Sequence, residues 1–265
     1  MSEDEPVPSQ PRVLVIVPTY NEIESLPKIV SRVRAALPDA DILIEDDNSP
    51  DGTGPLADRL HAADARVRVD HRPGKGGLGP AYVTGFTTGI EELYDVLVEI
   101  DADGSHPPER LPQMIQLLQS DPNVTMVIGS RWTKGGSVVN WPKRREALSR
   151  VANLYAKFAL GLKVDDTTAG FRAIRTSAVA AMDLSSIKAK GYCFQIDLTM
   201  RVRDAGGEIV EIPIEFHERE AGTSKMSPEI VREAMMMVTV WGIRRRWRQA
   251  TGRRPAGESV LSRSP

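Results

Sequence analysis

Two acids one residue apart, Asp101-Ala102-Asp103, end the apolar run Val96-Leu97-Val98-Glu99-Ile100. Where a buried strand breaks into a loop, two such carboxylates can reach one hard divalent cation. That cation takes oxygen ligands and keeps waters and substrate phosphates for the rest of its shell. The pattern suggests a metal–diphosphate site, whereas an isolated D-x-D also reads as two solvated loop acids. Two further predicted strand ends carry Pro18-Thr19-Tyr20-Asn21-Glu22 and Asp46-Asp47-Asn48-Ser49-Pro50-Asp51-Gly52-Thr53. Glu22 and Asp47 can accept hydrogen bonds from a base N–H or from ribose hydroxyls, and Tyr20 can pack on a flat base. Taken singly, Glu22 also suits a helix N-terminus and residues 48–52 suit a turn. Together with the paired acids, the three ends favour ligand binding.

For residues so far apart in sequence to converge, they must share one edge of a parallel sheet. Val13–Val17, Ile42–Ile44, Val67–Asp70, Val96–Ile100 and Val124–Gly129 read as buried strands. Helical periodicity falls between them, over 25–37, 53–63, 79–93 and 109–119, with Thr53 as an N-cap. Repeated β–α units predict a mainly parallel sheet flanked by helices, an α/β fold with ligands at its carboxyl edge. The second half predicts helices over 144–160, 194–205 and 228–247, and a strand or hairpin over 208–216. The C-terminal helix is read as amphipathic. No linker divides the chain. The expected organisation is a disordered N-terminus (1–10), one domain (11–248) and a basic, disordered tail (249–265).

The chain has 265 residues, 41% of them apolar, and a net charge of −2, so it carries no overall bias toward nucleic acid. Its lone cysteine, Cys193, forbids an internal disulfide and fits a reducing compartment. The acidic N-terminus has no signal-peptide pattern, and no apolar run reaches the ~20 residues needed to span a bilayer. Charge is uneven, however. Arg244 to Arg254 is rich in arginine, contains Trp247 and holds no acid. An apolar helical face running into such a patch suits a membrane interface; the alternative is a helix packed on the sheet with a solvated terminus.

Gly74-Lys75-Gly76-Gly77-Leu78-Gly79 matches G-x-G-x-x-G but lies on the third β–α turn, whereas a dinucleotide fingerprint belongs on the first. A glycine loop that closes over a substrate is the preferred reading. Lys75 also lacks the Ser/Thr that a P-loop requires.

Eight motifs, in order, resemble the family 2 glycosyltransferases of the dolichol-phosphate mannose synthase group, particularly the actinobacterial polyprenol monophosphomannose type. They are Val-Pro-Thr-Tyr-Asn-Glu (17–22), Asp-Asp-Asn-Ser-Pro-Asp-Gly-Thr (46–53), Gly-Leu-Gly-Pro-Ala-Tyr (77–82), Asp-Ala-Asp-Gly-Ser-His-Pro-Pro (101–108), Gly-Ser-Arg (129–131), Thr-Thr-Ala-Gly-Phe-Arg (167–172), Gly-Tyr-Cys-Phe-Gln-Ile-Asp (191–197) and Arg219 to Lys225. The resemblance implies a GT-A fold and inverting transfer of mannose from GDP-mannose to a polyprenyl phosphate. It implies a GDP-mannose site at Pro18, Tyr20, Glu22, Glu45 (mainly through backbone), Asp47, Asp101, Ala102, Asp103, Arg131, Arg219 and Lys225. Asp101 and Asp103 would hold Mg²⁺ or Mn²⁺. Ser105 is the candidate third ligand where some relatives carry Gln, with His106 and His217 as substitutes. Asp103 and Arg131 are the candidate catalytic residues, Arg131 as a bidentate seat for the acceptor phosphate. Asp166 reads as an N-cap or loop anchor, and Gln195 and Asp197 as acceptor-side or structural. The implied partners are a polyprenyl phosphate, the cytoplasmic membrane surface and an integral membrane protein resembling apolipoprotein N-acyltransferase. Two alternatives stay open: a UDP-glucose-dependent transferase acting on the same lipid, and a non-enzymatic nucleotide-binding subunit.

Overall fold

The computed structural model describes residues 10–187, 189, 191–218 and 228–251. The strands are β1 (Val13–Thr19), β2 (Asp41–Asp46), β3 (Val67–His71), β4 (Val96–Glu99), β5 (Val124–Ser130), β6 (Ser137–Val139), β7 (Arg172–Arg175), β8 (Glu208–Pro213) and β9 (Glu215–His217). The helices are α1 (Leu26–Ala36), α2 (Thr53–Ala63), α3 (Leu78–Glu91), α4 (Leu111–Ser120), α5 (Lys143–Leu160), α6 (Thr176–Ala180), α7 (Tyr192–Asp204) and α8 (Pro228–Thr251).

Alternation along the strands builds two cores, one on each side of the sheet. Val13, Val15 and Val17 of β1, with Val96 and Val98 of β4, face Leu26, Ile29 and Val33 of α1 and Met114 and Leu118 of α4. Leu14, Ile16 and Leu97 point the other way, onto Tyr82 and Phe86 of α3 and Phe194 and Leu198 of α7. The α3 helix lies close to the sheet because Gly85 and Gly89 face it. A Cβ on Gly85 would sit 2.7 Å from Ile16, and one on Gly89 2.2 Å from Leu97. A third cluster joins α5 to α8 through Ala156, Leu160 and Val238. There Gly242 lies against the Ala159 carbonyl, 2.7 Å from where a Cβ would stand.

The seven-stranded sheet has the order β3-β2-β1-β4-β7-β5-β8. All neighbours are parallel except β7, which runs antiparallel to both β4 and β5. The five predicted strands are all present. β7 was not anticipated, because its four residues Arg-Ala-Ile-Arg are too short and polar to read as a buried strand. The segment 208–216 is not a hairpin. It breaks at Ile214 into β8, which pairs with β5, and β9, which pairs with β6 in a separate two-stranded sheet. Thr53 is the first helical residue of α2 rather than its cap; its N–H and hydroxyl both donate to Asp51 Oδ1, at 3.0 and 2.6 Å. The α8 helix continues to Thr251, beyond the boundary expected at 248.

Candidate active site

β1, β2 and β4 are adjacent and parallel, so the loops after them open at one edge of the sheet. Pro18, Tyr20, Glu22, Asp47, Asp101, Ala102 and Asp103 line one cavity of about 300 Å³ there. Glu45 does not reach it. Its side chain is fully buried, and Arg72 is its nearest cation at 3.9 Å. Burial first, then the neighbouring Asp70 carboxylate, push Glu45 up to about 8. Arg219 and Lys225 lie outside the described residues.

The two acids are held differently. Asp103 Oδ1 accepts from the Ser105 N–H at 3.0 Å and from its hydroxyl at 2.6 Å. Ser105 is 1% exposed, and these two bonds orient the Asp103 carboxylate. The Asp101 N–H donates to His106 Nδ1 at 3.3 Å. His106 is stacked on Phe171 and edged by Phe216, and burial lowers it to about 4, which keeps the ring neutral. His217 is exposed on β9 and pairs with Glu215 at 2.8 Å. Among the described residues, no group of three His, Cys, Asp or Glu side chains could hold a metal ion. Two carboxylates in an open cavity fit a hard cation that draws its other ligands from water and phosphate.

Asp47 is tied to the glycine loop. It pairs with Arg72 and accepts from the N–H groups of Gly76 and Gly77 at 3.0 and 2.9 Å. Lys75 stands 4.2 Å over the Tyr20 ring, and with Gly77 and Leu78 it lines the same cavity. The loop therefore borders the site, a contact that the glycine pattern suggested and Asp47 enforces.

Arg131 lies apart from this cavity, against a second of about 50 Å³ between α5 and α8, walled by Leu148, Ala152, Ala156, Ile196 and Val238. Its Nε and Nη2 meet the two Asp166 oxygens at 2.7 Å each, and its N–H meets Oδ2 at 3.0 Å. Asp166 is thus the anchor of Arg131; despite complete burial, the guanidinium keeps it below the usual carboxylate range. Thr168, Tyr192 and Arg131 bring the two cavities together, since the first two residues line both. Gln195 lines the larger cavity, whereas Asp197 pairs with Arg201 at 3.1 Å on α7.

Sequence reasoning missed the support of this wall. Arg172 is fully buried and donates to the carbonyls of Thr167, Ala169 and Gln195 at 2.8 to 2.9 Å. Glu211 accepts from the N–H groups of Asp165 and Asp166 at 2.7 and 2.9 Å. Arg145 was missed as well; it packs 3.9 Å over Trp141 and pairs with Glu218. The available signal was an arginine between apolar Phe171 and Ala173, a position where only a fully bonded guanidinium is tolerated.

The sheet and its flanking helices form a GT-A fold. The sequence matches the family "Glycosyl transferase family 2" over residues 14–182, and the chain belongs to that family. It is 54% identical to the polyprenol monophosphomannose synthase of Mycolicibacterium smegmatis, over 91% of each chain. It is 52% identical to the undecaprenyl-phosphate mannosyltransferase of Micrococcus luteus, over 89% of this chain and 96% of that one. A dolichol-phosphate mannosyltransferase of Pyrococcus furiosus is 35% identical over 84% of this chain and 61% of its own. Among solved structures, glucosyl-3-phosphoglycerate synthase from Mycobacterium tuberculosis superposes with a TM-score of 0.63 at 17% identity, covering 93% of this chain and 82% of that one. The same enzyme has been crystallised with Mn²⁺, UDP-glucose and phosphoglyceric acid; that structure superposes with a TM-score of 0.62, also at 17% identity, covering 93% of this chain and 82% of the other.

Proposed function

We propose that this protein transfers mannose from GDP-mannose to a polyprenyl phosphate, giving a polyprenyl β-mannosyl phosphate. One observation carries the reading: a cavity lined by Glu22, Asp47, Asp101 and Asp103 shares Thr168 and Tyr192 with a smaller apolar cavity that is also lined by the buried Arg131. That pairing suits a water-soluble nucleotide sugar on one side and a phosphate on an apolar chain on the other. The names of the relatives at 52–54% identity point to mannose and a polyprenyl acceptor. The UDP-glucose neighbour stands at 17% identity, so its donor gives the glucose alternative little support.

Asp101 and Asp103 would hold Mg²⁺ or Mn²⁺, and such an ion, when bound, neutralises charge on a departing diphosphate. Ser105 fixes the Asp103 carboxylate in the pose it must hold. Pro18, Tyr20, Glu22 and Asp47 line the nucleotide end, and Arg219 and Lys225 are the further candidates for the diphosphate. The acceptor phosphate, with a second pKa of about 6, is mostly dianionic at neutral pH, so it needs a cationic seat rather than a base. Arg131 is the candidate seat, but Asp166 takes its Nε and Nη2, so the bidentate grip expected from the sequence is not open and the phosphate would be met through Nη1. The phosphate oxygen attacks the anomeric carbon, GDP departs from the opposite face, and configuration inverts.

A lipid acceptor also calls for a membrane surface. Among the described residues, no helix is long and apolar enough to cross a membrane. The inward side of α8 packs Val238 and Trp241 onto the α5 cluster. Its other side exposes Met236, Val240, Ile243 and Trp247 beside the arginines, and α5 exposes Val151, Leu154 and Phe158. These surfaces support peripheral docking on the cytoplasmic leaflet, or on an integral partner resembling apolipoprotein N-acyltransferase. The test is incubation with labelled GDP-mannose or UDP-glucose, Mg²⁺ and a short polyprenyl phosphate, followed by lipid extraction. Label in the lipid from GDP-mannose alone is expected; label only from UDP-glucose, or none, rejects the reading.

A further inference from the structure

Asn153 of α5 is 2% exposed and belongs to neither the acids nor the cationic seat. Its Oδ1 accepts from the Thr167 N–H at 2.8 Å and from the Thr167 hydroxyl at 2.9 Å. Its Nδ2 donates to the Ser149 carbonyl at 3.1 Å and to Thr168 Oγ1 at 3.2 Å. A backbone N–H can only donate and a carbonyl can only accept, so these partners fix which end of the amide is oxygen. The position needs Asn. Aspartate would lose both donated bonds, and leucine would lose all four.

The chain of contacts continues to the arginine. Thr168 Oγ1 also accepts from Arg131 Nη2 at 2.9 Å and lies 3.2 Å from Asp166 Oδ1, to which it donates. Asn153 and Arg131 line the same apolar cavity, and Thr168 lines both cavities. We propose that Asn153 is a positioning residue: it clamps the loop 166–168 to α5 and so fixes the guanidinium of Arg131 at the wall between the two cavities. A fully bonded buried polar network rigidifies the groups it joins. An apolar chain lying along α5 would touch the same helical turns that set the arginine, which couples acceptor seating to the geometry of the cation. The inference rests on the reading of Arg131 as the acceptor's seat.

The experiment compares wild type with Asn153→Ala, Thr168→Val and the double variant. It measures KM for a short polyprenyl phosphate and GDP affinity by calorimetry. Each single variant is expected to raise the acceptor KM roughly tenfold, the order of one buried hydrogen bond lost from the network around Arg131, with GDP affinity kept within about twofold in Asn153→Ala. The double variant is expected to be no worse than the poorer single one, because one chain is broken once. Three results would overturn the assignment: an unchanged acceptor KM in folded Asn153→Ala, GDP affinity falling in step with it, or losses that multiply in the double variant. If Asn153→Ala does not fold, Asn153→Ser decides on the same two criteria. Wild type that fails to transfer mannose would reject the function itself, whereas active wild type with an unmoved acceptor KM in the variants would reject only the positioning role.

Discussion

Asp166 and Arg131 form an ion pair with 0% and 7% side-chain exposure, each satisfied by the other at 2.7 Å. Removing one partner leaves a buried charge alone, which costs about 3–5 kcal/mol. Asp166→Ala should lose stability of that order in urea denaturation, and a loss under 1 kcal/mol would mean that the pair is not the anchor described. That Asp101, Asp103, Glu22 and Asp47 share one cavity was legible in the sequence, because each follows an apolar run and parallel strands end at one edge. The contact of Ser105 with Asp103 was not legible: a hydroxyl two residues after an acid can bind a cation or orient the acid, and its 2.6 Å bond to Asp103 shows the second role. The separation of Arg131 from the acid-lined cavity was equally hidden, since it depends on how the loop around Asp166 folds back on Arg131 after β5.

At the scale of elements, α3 and β7 decide how the edge is built. Gly89 brings α3 onto Leu97, and a Cβ there would sit 2.2 Å from that side chain. Overpacking of this kind costs about 1–3 kcal/mol, against about 1 kcal/mol gained in helix propensity. Gly89→Ala should therefore lower the thermal midpoint, and a raised midpoint would show that the core has room. The parallel strands could be read from their apolar runs, because both their faces are buried. β7 could not, because Arg172 is buried only by virtue of carbonyls that the preceding loop and α7 turn toward it. The split of 208–216 between two sheets escaped for a related reason: alternation marks a strand but not its neighbour.

For the whole molecule, two buried carboxyls set a pH dependence. Glu45 is raised from the ordinary 4.5 to about 8 and Glu99 to about 7, each first by burial. Both stay protonated in the folded chain where the unfolded chain has already ionised. Their contribution is thus complete below about pH 4.5 and is lost as pH rises through 7 to 8. Glu45→Gln should gain on wild type by about 1–3 kcal/mol between pH 5 and 9 in denaturant titrations; a constant difference would contradict the raised value. Docking is also a property of the whole molecule. Liposome flotation with anionic vesicles should weaken at high salt and on removal of residues 244–265, and no change in either case would count against the arginine run. The most direct test compares lipid-extractable mannose made by wild type and by Asp103→Asn at saturating GDP-mannose and polyprenyl phosphate. The expected result is product from wild type and none from the folded variant; near-normal transfer by the variant would contradict the role given to the paired acids.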